Sequence, residues 1–240
     1  MERVGDYEVL RELAEAGTGR LHLARRRGDD DAEPIVVKVL HERFRRNAFY
    51  TATLFSEAPA ARRFRHPVAI GTLDVDDVEG TLFIAMEQAS GPSWRAVRDR
   101  ARAAGRRFST DAVLWMGQQV AEMLAAAAAT PWSDGEESGL VVGQLAPRGL
   151  FLTKSGEVRV AGVGLGRSRS CLPPTRSRLP YRAPELFQRE PVRPASDLYG
   201  LGVMLYDALG GTESFQRDSV AQVKAEIGRA SCRERVCHRV

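Results

Sequence analysis

The stretch Leu13-Ala-Glu-Ala-Gly-Thr-Gly-Arg-Leu-His-Leu-Ala24 contains a glycine turn that leads into a strand. Polar and apolar residues alternate from Arg20 to Ala24, which predicts a strand with one buried face. A second strand, Ile35-Val-Val-Lys-Val-Leu40, is rich in β-branched residues and carries Lys38 in its middle. The chain therefore begins with a strand-rich region, in which a glycine turn precedes a strand that carries a lysine.

After these strands, the sequence up to about residue 90 predicts a helix and a hairpin. The helix extends from Phe49 to Phe64, although Pro59 interrupts its hydrogen-bonding pattern. The hairpin joins strands at 73–75 and 81–86 through Asp76-Asp-Val-Glu-Gly80.

After Gly91 the pattern becomes mainly helical. Ser109 is a candidate N-cap for a helix over about 111–129. Ser196-Asp197 is a candidate cap for a second apolar helix, which Gly210-Gly211 would end. Short strands are predicted at 140–142, 150–152 and 158–160. A loop rich in proline and arginine is predicted over 166–182.

Composition excludes several classes of protein. The 240 residues are 43% hydrophobic and 28% charged, which is ordinary for a globular protein. No apolar run reaches the roughly 18 residues of a membrane span, so no membrane segment is predicted in this chain. The N-terminus does not resemble a secretory signal. Three cysteines are too few for a disulfide framework, which predicts a cytoplasmic location.

The net charge of +4 and the pI near 9.2 raise the question of nucleic-acid binding. Four arginines and two glutamates lie in residues 226–240, so the remainder of the chain has a net charge of only +2. A nearly neutral body gives no electrostatic case for DNA or RNA. We therefore expect no nucleic-acid partner.

The C-terminal stretch Ile227-Gly-Arg-Ala-Ser-Cys-Arg-Glu-Arg-Val236 resembles a sequencing adapter translated in one reading frame. On that hypothesis residues 226–240 are an artefactual tail, the natural gene is cut near Ala225, and Cys171 is the only natural cysteine of this chain. The alternative is a native basic tail. An artefactual tail would carry no function of the natural protein.

Six motifs occur in an order that resembles the eukaryotic-like Ser/Thr protein kinases of bacteria. They are the glycine segment 13–24, Lys38 at the position of the family's strand lysine, Glu57 ahead of His66-Pro67, Met86-Glu87 as gatekeeper and hinge, Tyr181-Arg-Ala-Pro-Glu185, and Ser196-Asp-Leu-Tyr-Gly-Leu-Gly202. Together they cover residues 7 to about 215. Single motifs of this kind are common, whereas the ordered series is specific.

The resemblance implies an α+β, bilobal protein-kinase-like fold. A small β-rich N-lobe would span residues 7–89, and a mainly helical C-lobe would span 90–225. The family continues with three more helices after the segment that ends near Phe215, so the C-lobe is expected to be truncated.

The resemblance also implies a nucleotide site, with an ion pair between Lys38 and Glu57 that would position the phosphates. Ala14 and Ala16 replace the first two glycines of the turn, which hinders close approach of the backbone to phosphate. We therefore expect ATP binding to be weak. The predicted nucleotide-binding residues are Gly17, Gly19, Leu21, Val36, Lys38, Glu57, Met86, Glu87, Ala89 and Phe151.

The family's catalytic residues are missing at their expected positions. Gln144 stands where the family has the aspartate that acts as the base, and an amide cannot accept that proton. Gly149 and Gly162 stand at the two metal-ligand positions, so we expect no magnesium. A positioned base alone is worth about 10²–10⁴ in rate.

Three functional hypotheses follow. The first is a pseudokinase that acts as a signalling or regulatory binding module through protein partners. The second is a divergent but active Ser/Thr kinase, which transfers the γ-phosphate of ATP. The third is a fragment with no independent function. The arginines and hydroxyl residues of 166–182 fit a phosphorylated or partner-binding segment, or a solvated loop.

Overall fold

Nine strands form two sheets within the described residues, which are 3–29, 31–133, 139–173, 175–210 and 222 of this computed structural model. The strands are β1 (Arg3–Val4), β2 (Tyr7–Ala16), β3 (Gly19–Arg26), β4 (Ile35–Leu40), β5 (Ala69–Ile70), β6 (Thr72–Val78), β7 (Thr81–Glu87), β8 (Leu150–Leu152) and β9 (Val158–Ala161). The larger sheet has the order β1-β2-β3-β4-β7-β6 and is antiparallel throughout. In the smaller sheet, of order β5-β9-β8, β5 is parallel to β9.

Two helices lie among the strands of the first part of the chain, α1 (Glu42–Arg45) and α2 (Ala48–Arg63). Helices dominate the described part after residue 93, where they are α3 (Trp94–Ala103), α4 (Thr110–Ala128), α5 (Gly166–Ser170), α6 (Pro184–Phe187) and α7 (Pro194–Gly210), with a 3-10 turn at Leu179–Tyr181. The α+β arrangement of a strand-rich region followed by a helical one is therefore confirmed. Ser109 caps α4 as predicted, because its hydroxyl accepts a hydrogen bond from the backbone N–H of Ala112.

The helix α2 forms in spite of Pro59. A proline in a helix lacks the N–H that would bond to the carbonyl four residues earlier, here that of Phe55. Both residues lie on the exposed side of α2, where water can solvate that carbonyl. The opposite side buries Leu54 and Glu57.

Two sequence predictions about the helical half are wrong. Residues 140–142 do not form a strand, because the backbone N–H groups of Val142 and Gly143 bond to the carboxylate of Asp197 instead of to a neighbouring strand. Asp197 with Ser196 does not cap α7, which already begins at Pro194. Proline suits the first turn of a helix, and the Ser196 hydroxyl reaches back to the N–H of Arg193.

The segment 166–182, predicted as a loop, instead begins with α5 and packs inward. Leu165 and Leu172 flank α5 and are buried in one cluster with Leu54 and Leu82, from α2 and the larger sheet. A second cluster joins α4, α7 and the smaller sheet, with Val120 and Met204 fully buried. The segment contributes Leu172 to the first cluster and Tyr181 to the second, so it packs against both halves.

No helix in the described part of the chain is long and apolar enough to span a bilayer. The adapter-like stretch at 227–236 lies outside the described residues, so the hypothesis about it stays a prediction.

Candidate functional site

The chain after Gly162 crosses the loop at 140–146 at very short range. Gly143 has φ +74°, and a Cβ added there would lie 2.1 Å from the carbonyl oxygen of Gly166. Only glycine combines that backbone angle with so close an approach. The crossing brings α5 against α2 and places the backbone of Arg169 and the side chain of Arg178 next to Gln144.

Glu57 is bound to the N-terminus of α5. Its carboxylate, on a residue only 2% exposed, accepts hydrogen bonds from the backbone N–H groups of Arg167 at 2.7 Å and Ser168 at 2.8 Å. Burial raises the pKa of Glu57, and these hydrogen bonds and the charge of Arg169 oppose that rise. The expected ion pair between Lys38 and Glu57 is not formed, because the carboxylate of Glu57 is hydrogen-bonded to the N-terminus of α5.

Lys38 lies among cations. Its side chain is half-buried on β4, and the positive charges of Arg169 and Arg178 act on it. Burial first, and then these two positive charges, lower the pKa of Lys38 to about 7. No carboxylate among the described residues forms an ion pair with this lysine.

Arg169 fills the space beside Gly162. A Cβ added at Gly162 would lie 1.9 Å from Nη2 of Arg169, and Gly162 itself has φ +80°. The Nη1 atom donates to the carbonyl oxygen of Val142 at 3.4 Å. Burial lowers the pKa of Arg169, while the negative charges of Glu57 and Asp197 favour its charged form. A guanidinium therefore stands where the sequence comparison places a metal-binding carboxylate.

The amide of Gln144 is held at both ends by the same segment. Its Nε2 donates to the carbonyl oxygen of Arg169 at 3.2 Å, and its Oε1 accepts from Nη1 of Arg178 at 3.3 Å. Burial and the charges of Arg169 and Arg148 lower the pKa of Arg178 to about 10. By contrast, the space next to Gly149 is open, since a Cβ there would meet only the Ala146 carbonyl oxygen at 3.6 Å.

Asp197 anchors the loop that carries Gln144. Its two carboxylate oxygens accept the N–H groups of Val142 at 2.7 Å and Gly143 at 2.9 Å. Burial raises the pKa of Asp197 to about 6, although the hydrogen bonds favour ionisation. Both oxygens of the Asp197 carboxylate are therefore hydrogen-bonded to the backbone. Asp197 does not replace the base that is missing at Gln144.

The predicted nucleotide-binding residues of the larger sheet lie together. Leu21 is opposite Lys38, and Val36 is opposite Met86. These four side chains are half-buried, as are those of Ala89 and Phe151. The apolar residues can contact a flat aromatic ring, while the lysine is under the influence of the positive charges of Arg169 and Arg178.

Two of the predicted residues have other contacts. The side chain of Glu87 accepts hydrogen bonds from the N–H of Gly71 at 3.0 Å and from Arg159 at 2.6 Å. The turn at Gly17 lies against the 166–182 segment, since a Cβ on Gly17 would be 3.1 Å from Cγ2 of Thr175. Gly19 is packed on β4, where a Cβ would lie 2.1 Å from the Val39 carbonyl oxygen.

Magnesium does not fit this arrangement. It requires oxygen ligands in near-octahedral geometry. Gly149 and Gly162 supply no side-chain oxygen, and the guanidinium of Arg169 adds a positive charge at the second of these positions. Among the residues that the structure describes, no three His, Cys, Asp or Glu side chains are grouped so as to hold a metal ion.

The model of the family described as "Protein tyrosine and serine/threonine kinase" matches residues 7–238. The chain belongs to this family. It is 28% identical over 228 residues to Tyrosine-protein kinase MasK of Myxococcus xanthus (strain DK1622), covering 91% of this chain and 35% of MasK. It is 30% identical over 231 residues to Probable serine/threonine-protein kinase PkwA of Thermomonospora curvata, covering 94% of this chain and 29% of PkwA. It thus spans about a third of each of these two relatives.

Solved kinase structures share the fold. The kinase domain of Mycobacterium tuberculosis PknI superimposes with a TM-score of 0.72 at 21% sequence identity, over 95% of this chain and 85% of that one. At this identity the likeness concerns the fold. It supports the two-part arrangement of a β-sheet region and a helical region described above.

Sequence reasoning missed the inward orientation of Arg169 and Arg178. It grouped them with the exposed arginines of a loop, whereas the Arg178 side chain donates to Gln144 and the Arg169 side chain lies beside Gly162. The available signal was Gly162: a glycine in place of a carboxylate leaves a space, and a long side chain a few residues later can fill it.

Proposed function

We propose that this protein-kinase-like domain is a pseudokinase, a regulatory binding module that does not transfer phosphate. The observation that carries the proposal is the position of Arg169 beside Gly162. Phosphoryl transfer depends on metal ions that bridge the β- and γ-phosphates, and these require carboxylate or amide oxygen ligands. A glycine with a guanidinium against it offers none.

The base position supports the same proposal. Gln144 cannot take up the proton of a substrate hydroxyl, and both ends of its amide are hydrogen-bonded to Arg169 and Arg178. The loss of a base costs about 10²–10⁴ in rate, and the loss of the metal ligands adds to this. Because base and metals act together, replacing one of them would restore little.

The proposal includes weak ATP binding without magnesium, through the apolar residues around Val36 and the cations around Lys38. It assigns the N-lobe to residues 7–89 and the C-lobe to 90–225, and it places the domain in the cytoplasm with protein partners. A regulatory output would pass through α2 and the 166–182 segment, which Glu57 joins.

A phosphotransfer assay tests the proposal. The chain, confirmed by resequencing past codon 225, is incubated with labelled ATP, magnesium or manganese, and a generic basic substrate. We expect no transfer above the level of Lys38→Met. Lys154→Met, which changes an exposed lysine, is the matched control. Transfer that is present in the unmodified chain and in Lys154→Met but absent in Lys38→Met would contradict the proposal.

That contrary result would favour the second candidate, a divergent active Ser/Thr kinase. Family membership and the ordered motifs support this candidate, since the curated relatives carry kinase names. The third hypothesis, a fragment without independent function, predicts that the chain neither binds a partner nor unfolds cooperatively. Denaturant unfolding with a single sharp transition would exclude it.

A further inference from the structure

We infer that a pocket between α3 and α4, with the arginines beside it, is a docking site for an acidic segment of a partner protein that inserts one apolar side chain. The pocket shares no residue with the candidate nucleotide site. The inference names the kind of protein partner that the proposed function requires, and in that respect it rests on that function. Its test needs neither ATP nor phosphate transfer, so the two can fail separately.

The pocket is a small cavity that opens at the surface. Its volume is about 180 Å³, and the described residues that line it are all apolar. Trp94 of α3 and Phe108 form one wall, with their ring centroids 4.5 Å apart. Trp115 and Met116 of α4 and Leu152 of β8 complete the lining. Because a cavity of about 150 Å³ can hold a benzene molecule, this pocket can take one leucine, methionine or phenylalanine side chain.

Trp115 lies exposed at the mouth of the pocket. It is 46% exposed, and the neighbouring Leu114 is 54% exposed. The indole N–H of Trp115 donates to no acceptor among the described residues. Tryptophan is enriched among the residues that dominate the binding energy of protein interfaces, where its ring is buried and its N–H is paired. Trp115 is therefore suited to covering an inserted side chain and to donating to the partner.

The turn after α3 brings arginines to the wall of the pocket. Gly105 has φ +63°, and its N–H donates to the carbonyl oxygen of Arg102 at 3.0 Å. The N–H of Arg106 donates to the carbonyl oxygen five residues earlier at 2.9 Å. These two hydrogen bonds are the Schellman arrangement, which fixes the direction of the chain beyond a helix. Arg106 and Arg107 therefore lead directly into Phe108.

The charge of these arginines is not balanced nearby. We call the four exposed arginines of residues 100–107 the arginine rim; they are Arg100, Arg102, Arg106 and Arg107. No acidic residue occurs between them in the sequence, and no carboxylate in the described part of the chain is within ion-pair distance of them. Asp99, which precedes them, is paired with Arg95 and Arg98. The arginine rim therefore carries a charge of +4 that a partner can neutralise.

This charge decides which partner fits. Asp111, Lys154 and Glu157 flank the lining residues Ala112 and Gly156 in the sequence, and their one positive and two negative charges sum to −1. The surroundings of the pocket thus remain positive, which favours an acidic segment. A bilayer surface can also be anionic, but it is bound by apolar side chains that protrude into it. Here the apolar groups form a concavity, so a protein side chain fits better than a membrane.

A fluorescence-polarisation titration of the full chain tests the inference without nucleotide. The probes are the labelled peptide EEEELEEEE and its counterparts with methionine or phenylalanine at the centre. We expect at least one of them to bind about 10-fold or more tightly than EEEEGEEEE, which lacks the apolar side chain, and than KKKKLKKKK, which has the opposite charge. Raising the NaCl concentration from about 0.05 to about 0.5 M should weaken binding about 5-fold or more, because the arginines are exposed.

A substitution in the pocket tests the apolar half of the site. Ala112→Leu, at an exposed position that lines the pocket, should fill it and weaken binding about 10-fold or more. Ala125→Leu, at an exposed position further along α4, is the matched control and should leave binding unchanged. If Ala112→Leu melts at a lower temperature than the unmodified chain, Trp115→Ala replaces it and must weaken binding as well.

A pair of substitutions tests the arginine rim. Arg106→Gln with Arg107→Gln should weaken binding about 3-fold or more, since two exposed charges are lost. Arg26→Gln with Arg27→Gln removes the same charge from another exposed pair and should change the affinity less than about 2-fold.

Two results would overturn the inference. One is equal affinity for EEEEGEEEE and for the peptides with an apolar centre, and the other is equal effects of the substitutions and their controls. Vesicles of phosphatidylserine and phosphatidylcholine are a further probe. Vesicle binding that Ala112→Leu does not weaken, together with no binding of any acidic peptide, would show that this surface contacts a membrane and not a protein segment.

Discussion

The Oε2 atom of Glu57 accepts a hydrogen bond from the backbone N–H of Ser168 at 2.8 Å. Its other oxygen accepts the N–H of Arg167, so one carboxylate accepts hydrogen bonds from two backbone N–H groups of the first turn of α5. This relationship joins α2 to the 166–182 segment. It also explains why Lys38 lacks an acidic partner among the described residues: the glutamate on α2 is used elsewhere.

Glu57→Ala should detach α5 from α2. The substitution leaves two N–H groups without an acceptor, and we expect it to lower the free energy of unfolding by about 2–4 kcal/mol. Hydrogen exchange should accelerate at the amides of Arg167 and Ser168. Glu42→Ala is the matched control, because its partner Arg46 is exposed and such a pair contributes about 0.3–0.5 kcal/mol. Equal effects of the two substitutions would contradict the assignment.

Gly162 and Arg169 should be energetically coupled. Gly162→Ala places a methyl group where Nη2 of Arg169 lies, and it also strains the backbone at φ +80°. In the Arg169→Ala background the steric part disappears and only the backbone strain of about 1 kcal/mol remains. A double-mutant cycle measured by urea unfolding should give a coupling of at least about 1 kcal/mol. Additive effects would show that the guanidinium does not occupy this space.

The fold could be predicted because its signals are local. The β-branched run 35–40 is β4 residue for residue, and the N-cap at Ser109 begins α4 as expected. The strand expected at 140–142 shows the limit. Its apolar residues have the pattern of a strand, but the partner of their backbone is the carboxylate of Asp197, more than fifty residues away.

The site could be predicted only in part, because its contacts join residues that are far apart in the sequence. Motif order located Lys38, Glu57 and Gln144, yet it could not say with which groups they interact. Those contacts depend on how the 166–182 segment crosses the chain at Gly143, a tertiary feature without a local sequence pattern. The glycines at 149 and 162 could be read from the sequence, whereas the arginine beside Gly162 could not.

Tyr181→Phe should destabilise the helical half. The Tyr181 hydroxyl accepts from Nη1 of Arg98 at 2.9 Å and donates to Oδ2 of Asp207 at 3.0 Å, and all three residues are buried. Loss of this hydroxyl should lower the free energy of unfolding by about 1–3 kcal/mol. Tyr206→Phe changes a tyrosine that is 68% exposed and should have no measurable effect. A similar stability of both variants would mean that the buried network contributes nothing.

Lys38 should make stability depend on pH in a defined direction. Its pKa is about 7 in the folded chain and near 10.5 when unfolded. Between these values the unfolded chain binds more protons, so stability from this group rises as the pH increases from 7 to 10.5. Below pH 7 the lysine is charged in both states, and the folded state then bears the full cost of a charge next to Arg169 and Arg178.

Lys38→Met removes that cost while keeping the length of the side chain. We expect the variant to be more stable than the unmodified chain at pH 6 by about 1–3 kcal/mol, a value reduced from the full shift because the side chain is half-buried. The advantage should shrink steadily as the pH rises towards 10. The measurement is urea unfolding of both proteins at several pH values, with Lys154→Met as the exposed control. A difference that does not change with pH would show that Lys38 titrates as an ordinary lysine, without the effects of burial and of the charges of Arg169 and Arg178.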